Sequence, residues 1–122
     1  MTKRSPRSVE DTVARFVRLI DAKGLRLFAV IDQRHEALRV GLDLRATTLV
    51  LFGSPLVGTP VMDAVPLAAL ELPLKVLVWA DGNDTNVSYV SPASLARRCG
   101  LSEDQEKSLA GIDQLTDALI AS

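Results

Sequence analysis

The stretch that decides the fold spans residues 47–81 and reads TTLVLFGSPLVGTPVMDAVPLAALELPLKVLVWAD. Residues 47–52 and 74–80 are rich in branched and apolar side chains, which is typical of β-strands. The first run is apolar almost throughout, so we expect it to be a central strand of a sheet. Glycine and proline turns separate the two runs.

The turn after the first strand admits two interpretations. Gly53 and Gly58 have the spacing of a phosphate-binding loop, but Thr59 stands where such a loop has its lysine. We therefore interpret the segment as a strand exit followed by a short helix, with Thr59 as N-cap and Pro60 at the first helical position. The alternative is an anion bound at the N-terminus of that helix without help from a lysine.

Further helices are predicted where a capping residue precedes apolar side chains at helical spacing. Ser8 begins the first of them, and Gly24 ends it. The pair Ser91-Pro92 begins a later helix. Ser102 begins the last, which Gly111 weakens by about 1 kcal/mol relative to alanine. The apolar stripe of this last helix consists of Leu109, Ile112, Leu115 and Leu119.

Strands are also predicted for residues 25–31 and, after a hairpin turn over 81–84, for residues 86–90 as a short edge partner. Residues 34–40 indicate one or two helical turns. Two segments stay open in the prediction: residues 1–7 as an edge strand or a disordered start, and residues 42–46 as a short strand.

This order of elements favours an α+β fold. The strands outnumber the helices that could cross between them, and a tight turn joins the last two strands. We predict a single domain over residues 1–122, with a mainly antiparallel sheet of four to five strands and helices packed on one face. A doubly wound α/β fold is the alternative.

Composition excludes several classes of function. With 122 residues and a net charge of −1, the chain lacks the basic excess of a nucleic-acid-binding domain. No apolar run is long enough to span a membrane or to form the core of a signal peptide. The single cysteine permits no intrachain disulfide. We expect a cytoplasmic protein that binds neither nucleic acid nor membrane.

Residues that commonly carry catalysis or bind metals are scarce. His35 is the only histidine and Cys99 the only cysteine, too few for a typical zinc site. We therefore predict no metal, no cofactor and no catalytic set. Lys75 is the exception, because it shares one strand face with Trp79 and, if partly buried, would need a carboxylate such as Asp32. The alternative is that its charged end reaches water.

Several blocks of the chain resemble a known family. These are FAVID (28–32), GLDLRATTLVLFGSPLVGTPVMDAVP (41–66), LPLKVLVWAD (72–81) and SYVSPASLARRCGL (88–101). They look like the bacterial and archaeal family called domain of unknown function 302, over roughly residues 8–101. The resemblance implies a small α+β domain that forms a homodimer and has no established activity.

The chain departs from that family's pattern at three polar places. Gln33 and Cys99 stand where members often have histidine, and Val90-Ser91 stands where they often have Asn-Asp. If those positions serve a ligand or a metal in other members, that role is lost or altered in this chain.

Three hypotheses for function follow. The first is a non-enzymatic homodimeric module that binds a small ligand or a partner protein. The second is an enzyme that uses Lys75 paired with Asp32. The third is a structural or interaction domain with Trp79, or the apolar face of the last helix, at a subunit interface. The candidate ligand cleft consists of Asp32, Gly53, Gly58, Thr59, Lys75 and Trp79.

Overall fold

Five strands form one antiparallel sheet, which confirms the predicted α+β fold. The computed structural model describes residues 1–122. The sheet has the order β1-β5-β4-β3-β2, and all neighbouring strands are antiparallel. The strands are β1 (Thr2–Ser5), β2 (Arg26–Asp32), β3 (Thr47–Gly53), β4 (Leu74–Asp81) and β5 (Asp84–Ser88).

The chain also forms six α-helices. They are α1 (Val9–Ala22), α2 (Gln33–Arg39), α3 (Pro55–Ala64), α4 (Pro92–Cys99), α5 (Glu103–Leu109) and α6 (Gly111–Ile120), with a short 3₁₀ helix at Pro66–Leu70. The predicted capping signals are present at Ser8, Ser91 and Ser102, where each side chain accepts a backbone hydrogen bond. Gly24 and Gly100 follow α1 and α4 in the left-handed conformation that favours glycine.

Alternation along the strands separates two faces of the sheet. The inner face carries fully buried side chains, namely Val50, Phe52, Val76, Val78 and Val87. Helices α1 and α6 cover this face, and the ring of Phe16 meets that of Phe52 edge-on at 5.1 Å and 77°. The outer face carries the half-buried side chains Leu49, Leu51, Lys75, Leu77 and Trp79.

Cationic side chains near the N-terminus bind the C-terminal helix α6. Lys3 Nζ contacts Thr116 Oγ1 at 2.7 Å and Asp117 Oδ1 at 2.8 Å. Arg7 and Arg15 donate to backbone carbonyls at the end of α6, including that of Leu119 at 3.0 and 3.2 Å. Cations at a helix C-terminus stabilise its unpaired carbonyls. Arg15 thus links α1 to the C-terminal end of α6.

One strand prediction was wrong, and one segment that the prediction left open forms no strand. β5 was expected at an edge, but β1 pairs with it from Thr2↔Ser88 to Ser5↔Thr85 and takes the edge instead. Residues 42–46 form no strand, because β2 and β4 already occupy both sides of β3. That segment leaves Leu42 63% exposed.

Two helix predictions also need correction. Helix α3 begins at Pro55 and not at Thr59, so Pro60 lies inside it. Ser54-Pro55 carries the same cap-and-proline pattern five residues earlier. The last predicted helix is two helices, because α5 ends at Leu109 and α6 begins at Gly111, a residue with low helix propensity. Leu109 borders a small crevice with Val61 and Leu95, away from the main core.

We predict that Lys3→Met lowers the free energy of unfolding by about 1–3 kcal/mol, because it removes charge-assisted hydrogen bonds from a side chain that is only 14% exposed. Burial lowers the pKa of Lys3, but the hydrogen bond to Asp117 and the interaction with Tyr89 outweigh it and raise the pKa above 10.5. The stabilisation is therefore fully present below pH 10.5 and lost as the pH rises through the higher folded-state pKa.

Urea unfolding across pH 7–12 measures this difference. The difference in unfolding free energy between wild type and Lys3→Met should stay constant at neutral pH and narrow above about pH 10.5. The exposed Lys107→Met is the matched control and should match the wild type. If the difference in unfolding free energy between wild type and Lys3→Met widened at alkaline pH, the raised pKa of Lys3 would be contradicted.

Candidate functional site

A large pocket opens at one end of the sheet, where β3 ends and where β2 and β4 begin. Its volume is about 560 Å³, and 11 of the 21 residues that line it are hydrophobic. Pockets of about 300–1,000 Å³ with mostly apolar walls are typical small-molecule sites. The size and the lining together make this the candidate ligand site.

Three parts of the chain build the walls of the pocket. Phe52 and Leu74 come from the sheet, and Leu72 with Pro73 precedes β4. Helix α3 supplies Val57, Gly58, Thr59 and Met62, and α6 supplies Ile112, Leu115 and Ala118. Phe52, Ile112 and Leu115 also belong to the main core, so the inner wall of the pocket is the end of that core.

An irregularity in β2 gives the pocket one of its aromatic walls. Leu27 pairs with Phe52 and Ala29 pairs with Leu51, so Phe28 is the extra residue of a β-bulge. A bulge re-aims the side chain it carries, and bulges often occur beside binding sites. The ring of Phe28 lines the pocket while remaining 48% exposed. The guanidinium of Arg26 lies 5.6 Å from the centroid of that ring.

Two glycines keep space open in the pocket. A Cβ on Gly58 would lie 3.8 Å from the methyl carbon of Met62 and 3.9 Å from Leu72. A Cβ on Gly53 would lie 3.9 Å from Pro73 and 4.0 Å from Phe28. These are ordinary contact distances, so larger side chains at either position would extend into the pocket volume.

Polar groups around the pocket are few, and one of them is charged. Lys23, which follows α1, is the only charged residue in the lining. The protein contains five ion pairs, and Lys23 takes part in none of them. No carboxylate therefore lies within 4.0 Å of the Lys23 ammonium group. The other polar residues of the lining are Ser54, Thr59, Ser108 and Gln114.

The six residues of the predicted cleft do not form one site. Gly53, Gly58 and Thr59 line the pocket. Lys75 and Trp79 lie on the outer face of the sheet, where Trp79 donates to Ser88 Oγ at 2.9 Å. The prediction missed Phe28, Met62 and the α6 residues, because sequence spacing does not reveal which distant segments meet.

Asp32 and Lys75 do not pair. Asp32 ends β2 opposite Thr48, which pairs in turn with the inner-face residue Val78. Lys75 is three residues from Val78 and therefore points to the opposite face. Asp32 accepts the backbone N–H of His35 at 3.0 Å, and Lys75 Nζ donates to the carbonyl of Glu71 at 3.1 Å.

The residues that depart from the family pattern also lie outside the pocket. Gln33 begins α2 and is exposed, and Cys99 borders the small crevice beside Leu95. Ser91 accepts the backbone N–H of Ser94 as the cap of α4. Nowhere in the chain do three His, Cys, Asp or Glu side chains group in a way that could hold a metal ion.

Comparison with known proteins agrees with this fold. The chain matches the family described as "Domain of unknown function DUF302" over residues 1–119. The protein belongs to this family. The match extends the resemblance found in residues 8–101 to both ends of the sheet-and-helix core, including β1 and nearly all of α6.

A solved structure of the family has the same fold. The crystal structure of an uncharacterised conserved DUF302 protein from Bacillus stearothermophilus superposes with a TM-score of 0.82. The comparison covers 98% of this chain and 94% of the other at 16% sequence identity. At that identity the likeness shows the fold alone.

Curated relatives carry the name of a channel. Proteins named "Fluoride-specific ion channel FluC 1" from Brucella suis and Brucella abortus are 36% identical to this chain over 107 residues. The match covers 85% of this chain but only 42% and 40% of those relatives, so the chain spans about two fifths of their length. None of the helices described above combines the length and apolarity required to cross a bilayer.

We predict that Asp32 and Lys75 contribute to stability independently. Asp32→Ala should lower the free energy of unfolding by about 1 kcal/mol, because it removes the N-cap of α2. Asp32→Ser should retain most of that stability. In a double-mutant cycle with Lys75→Met, measured by urea unfolding, the coupling energy should stay below about 0.5 kcal/mol. A coupling above about 1 kcal/mol would show that the two side chains interact after all.

Proposed function

We propose that the protein is a non-enzymatic, homodimeric module that binds a small apolar molecule in the pocket between β3, α3 and α6. The observation that carries the proposal is the 560 Å³ volume with its largely hydrophobic lining. The free thiol of the single cysteine, Cys99, supports a cytoplasmic location as part of the proposal.

The chemistry of the pocket favours binding over catalysis. A general acid or base must lie within hydrogen-bond reach of its substrate, and the lining holds no carboxylate, histidine or cysteine; its one ionisable side chain, Lys23, lies exposed at the rim. Lys75, the basis of the enzymatic alternative, lies on the other face of the sheet. The walls offer apolar area to a ligand rather than a set of reacting groups.

The same chemistry bears on the channel relatives. Fluoride is a small, strongly hydrated anion, and a site for it must replace water with hydrogen-bond donors or cations. The inner wall of the pocket, around Phe52, Ile112 and Leu115, offers none. We therefore do not extend fluoride binding to this apolar wall, and the proposal for this chain is a ligand with an apolar body.

Methyl NMR tests ligand binding directly, because the chain has two methionines. Met62 lines the pocket, whereas Met1 lies 63% exposed beside β5. In protein labelled with methyl-¹³C methionine, titration with 1-decanol should shift the Met62 signal saturably and leave the Met1 signal unchanged. The alcohol is an uncharged apolar chain small enough for the pocket.

Two filled variants serve as controls for this titration. Gly58→Leu and Ala118→Leu place extra methyl groups in the pocket from opposite walls, and each should weaken 1-decanol binding at least tenfold while the protein remains folded. Equal shifts at Met1 and Met62, or binding unaffected in both folded variants, would contradict the proposed site.

Exposed apolar side chains support the homodimer. Of the twelve large hydrophobic side chains that are exposed, four fall within residues 38–44 and four within residues 56–70. Contiguous apolar surface marks interaction sites, whereas isolated exposed residues are ordinary. Residues 38–44 follow the edge strand β2, whose Val30 is 43% exposed, so we propose this side of the sheet as the subunit interface. The apolar face of α6, the earlier candidate, is buried in the core.

We predict that Val40→Lys dissociates the dimer and that Leu67→Lys does not. Both residues are 72% exposed, so the two variants add the same charge to equally accessible positions on different segments. Light scattering coupled to size exclusion should give a dimer mass for wild type and Leu67→Lys and a monomer mass for Val40→Lys. A monomeric wild type would overturn the homodimer, and dissociation by Leu67→Lys alone would move the interface to residues 56–70.

A further inference from the structure

We propose that the ligand of this pocket is a single-chain anionic amphiphile, with its apolar chain against Phe52 and α6 and its carboxylate at Lys23. This inference rests on the proposed ligand pocket and adds the chemical class of the ligand. It follows from the distribution of charge around the pocket rather than from its size.

Charge in the lining has one sign only. Lys23 is the single ionic residue among the 21 that line the pocket, and no acidic side chain accompanies it. Its ammonium forms no ion pair within the protein, although the chain contains 15 acidic residues for 14 lysines and arginines. An unpaired cation beside an apolar pocket complements a ligand that is apolar along its length and negative at one end.

Burial determines which end of such a ligand lies where. The deep wall consists of side chains no more than 6% exposed, namely Phe52, Leu109, Ile112 and Leu115. A charged group there would lose its hydration with no partner to replace it. Lys23 is exposed, as are Thr59 and Gln114, so this polar rim is where a charged head can stay partly hydrated and meet the ammonium group.

The same argument excludes the opposite charge. A cationic amphiphile would gain the same apolar contacts but would bring its head beside Lys23 without a carboxylate in the lining to offset the repulsion. An uncharged amphiphile would keep the apolar contacts and lose the ion pair. The order of affinity should therefore be anion, then neutral, then cation.

The test compares three probes with equal chains on the Met62 methyl signal. These are decanoate, 1-decanol and decyltrimethylammonium, each used at pH 7 and low salt below its aggregation concentration. Decanoate should bind about 1.4- to 5-fold more tightly than 1-decanol, which corresponds to the roughly 0.2–1 kcal/mol of an ion pair at a solvent-exposed rim. Decyltrimethylammonium should bind more weakly than either, and raising the salt concentration should weaken only decanoate.

Two variants test whether Lys23 causes the preference for decanoate over 1-decanol. These are Lys23→Gln and its control, Arg18→Gln. Both variants remove one positive charge from an exposed position on or next to α1, but only Lys23 lines the pocket. Lys23→Gln should reduce decanoate affinity to that of 1-decanol and leave 1-decanol affinity unchanged. Arg18→Gln should keep the wild-type preference.

The outcomes separate this inference from the proposed function. If 1-decanol shifts Met62 and decanoate binds no more tightly, or if Lys23→Gln keeps the preference, the anionic ligand is wrong and the apolar pocket stands. If none of the three probes shifts Met62, both proposals fall. A decanoate preference lost in Lys23→Gln and kept in Arg18→Gln supports both.

Discussion

The contact between Phe16 of α1 and Phe52 of β3 is the interaction on which the rest of the structure depends. The two rings meet at 5.1 Å in an edge-to-face arrangement, and both are buried to within 1% of full burial. This contact holds α1 across the inner face of the sheet. Phe52 also lines the pocket. The side chain that contacts α1 therefore also lies at the boundary between the core and the ligand site.

Strand alternation decides which residues can reach that site. Phe52 and Leu74, paired across β3 and β4, share the inner face and line the pocket. Lys75 and Trp79 occupy alternate positions on β4 and therefore face away from it. Because side chains alternate along β4, Lys75 lies away from the pocket. The pocket therefore offers a ligand mainly apolar contacts.

Local signals in the sequence predicted the elements well. Ser8, Ser91 and Ser102 each cap a helix, because a serine side chain can satisfy backbone donors within three residues. Runs of branched and apolar residues predicted β3 and β4, because such side chains favour extended backbone and the buried positions of a sheet. Where two local signals competed, as at Ser54-Pro55 and Thr59-Pro60, the sequence offered no way to choose the earlier one.

Long-range pairing was not predictable from one sequence. The paired residues of β1 and β5 lie at least 80 positions apart, as for Ser5 and Thr85, and nothing local shows that β1 covers the edge of β5. The pocket could not be predicted for the same reason, because segments far apart in the sequence form it. Its walls combine β2, α3 and α6, and its aromatic wall depends on a bulge at Phe28 that the strand pattern did not reveal. Gly53, Gly58 and Thr59 were found because they lie close together in the sequence, at the end of β3 and in the first half of α3.

A crystal structure of protein purified without detergent, organic solvent or denaturant tests the central claim most directly. The account predicts elongated electron density in the pocket, running from the rim at Lys23 past Phe28 to the buried wall at Phe52 and Leu115. A structure in which α3 closes onto the end of the sheet, with Met62 filling the space and no room for a ligand, would contradict it.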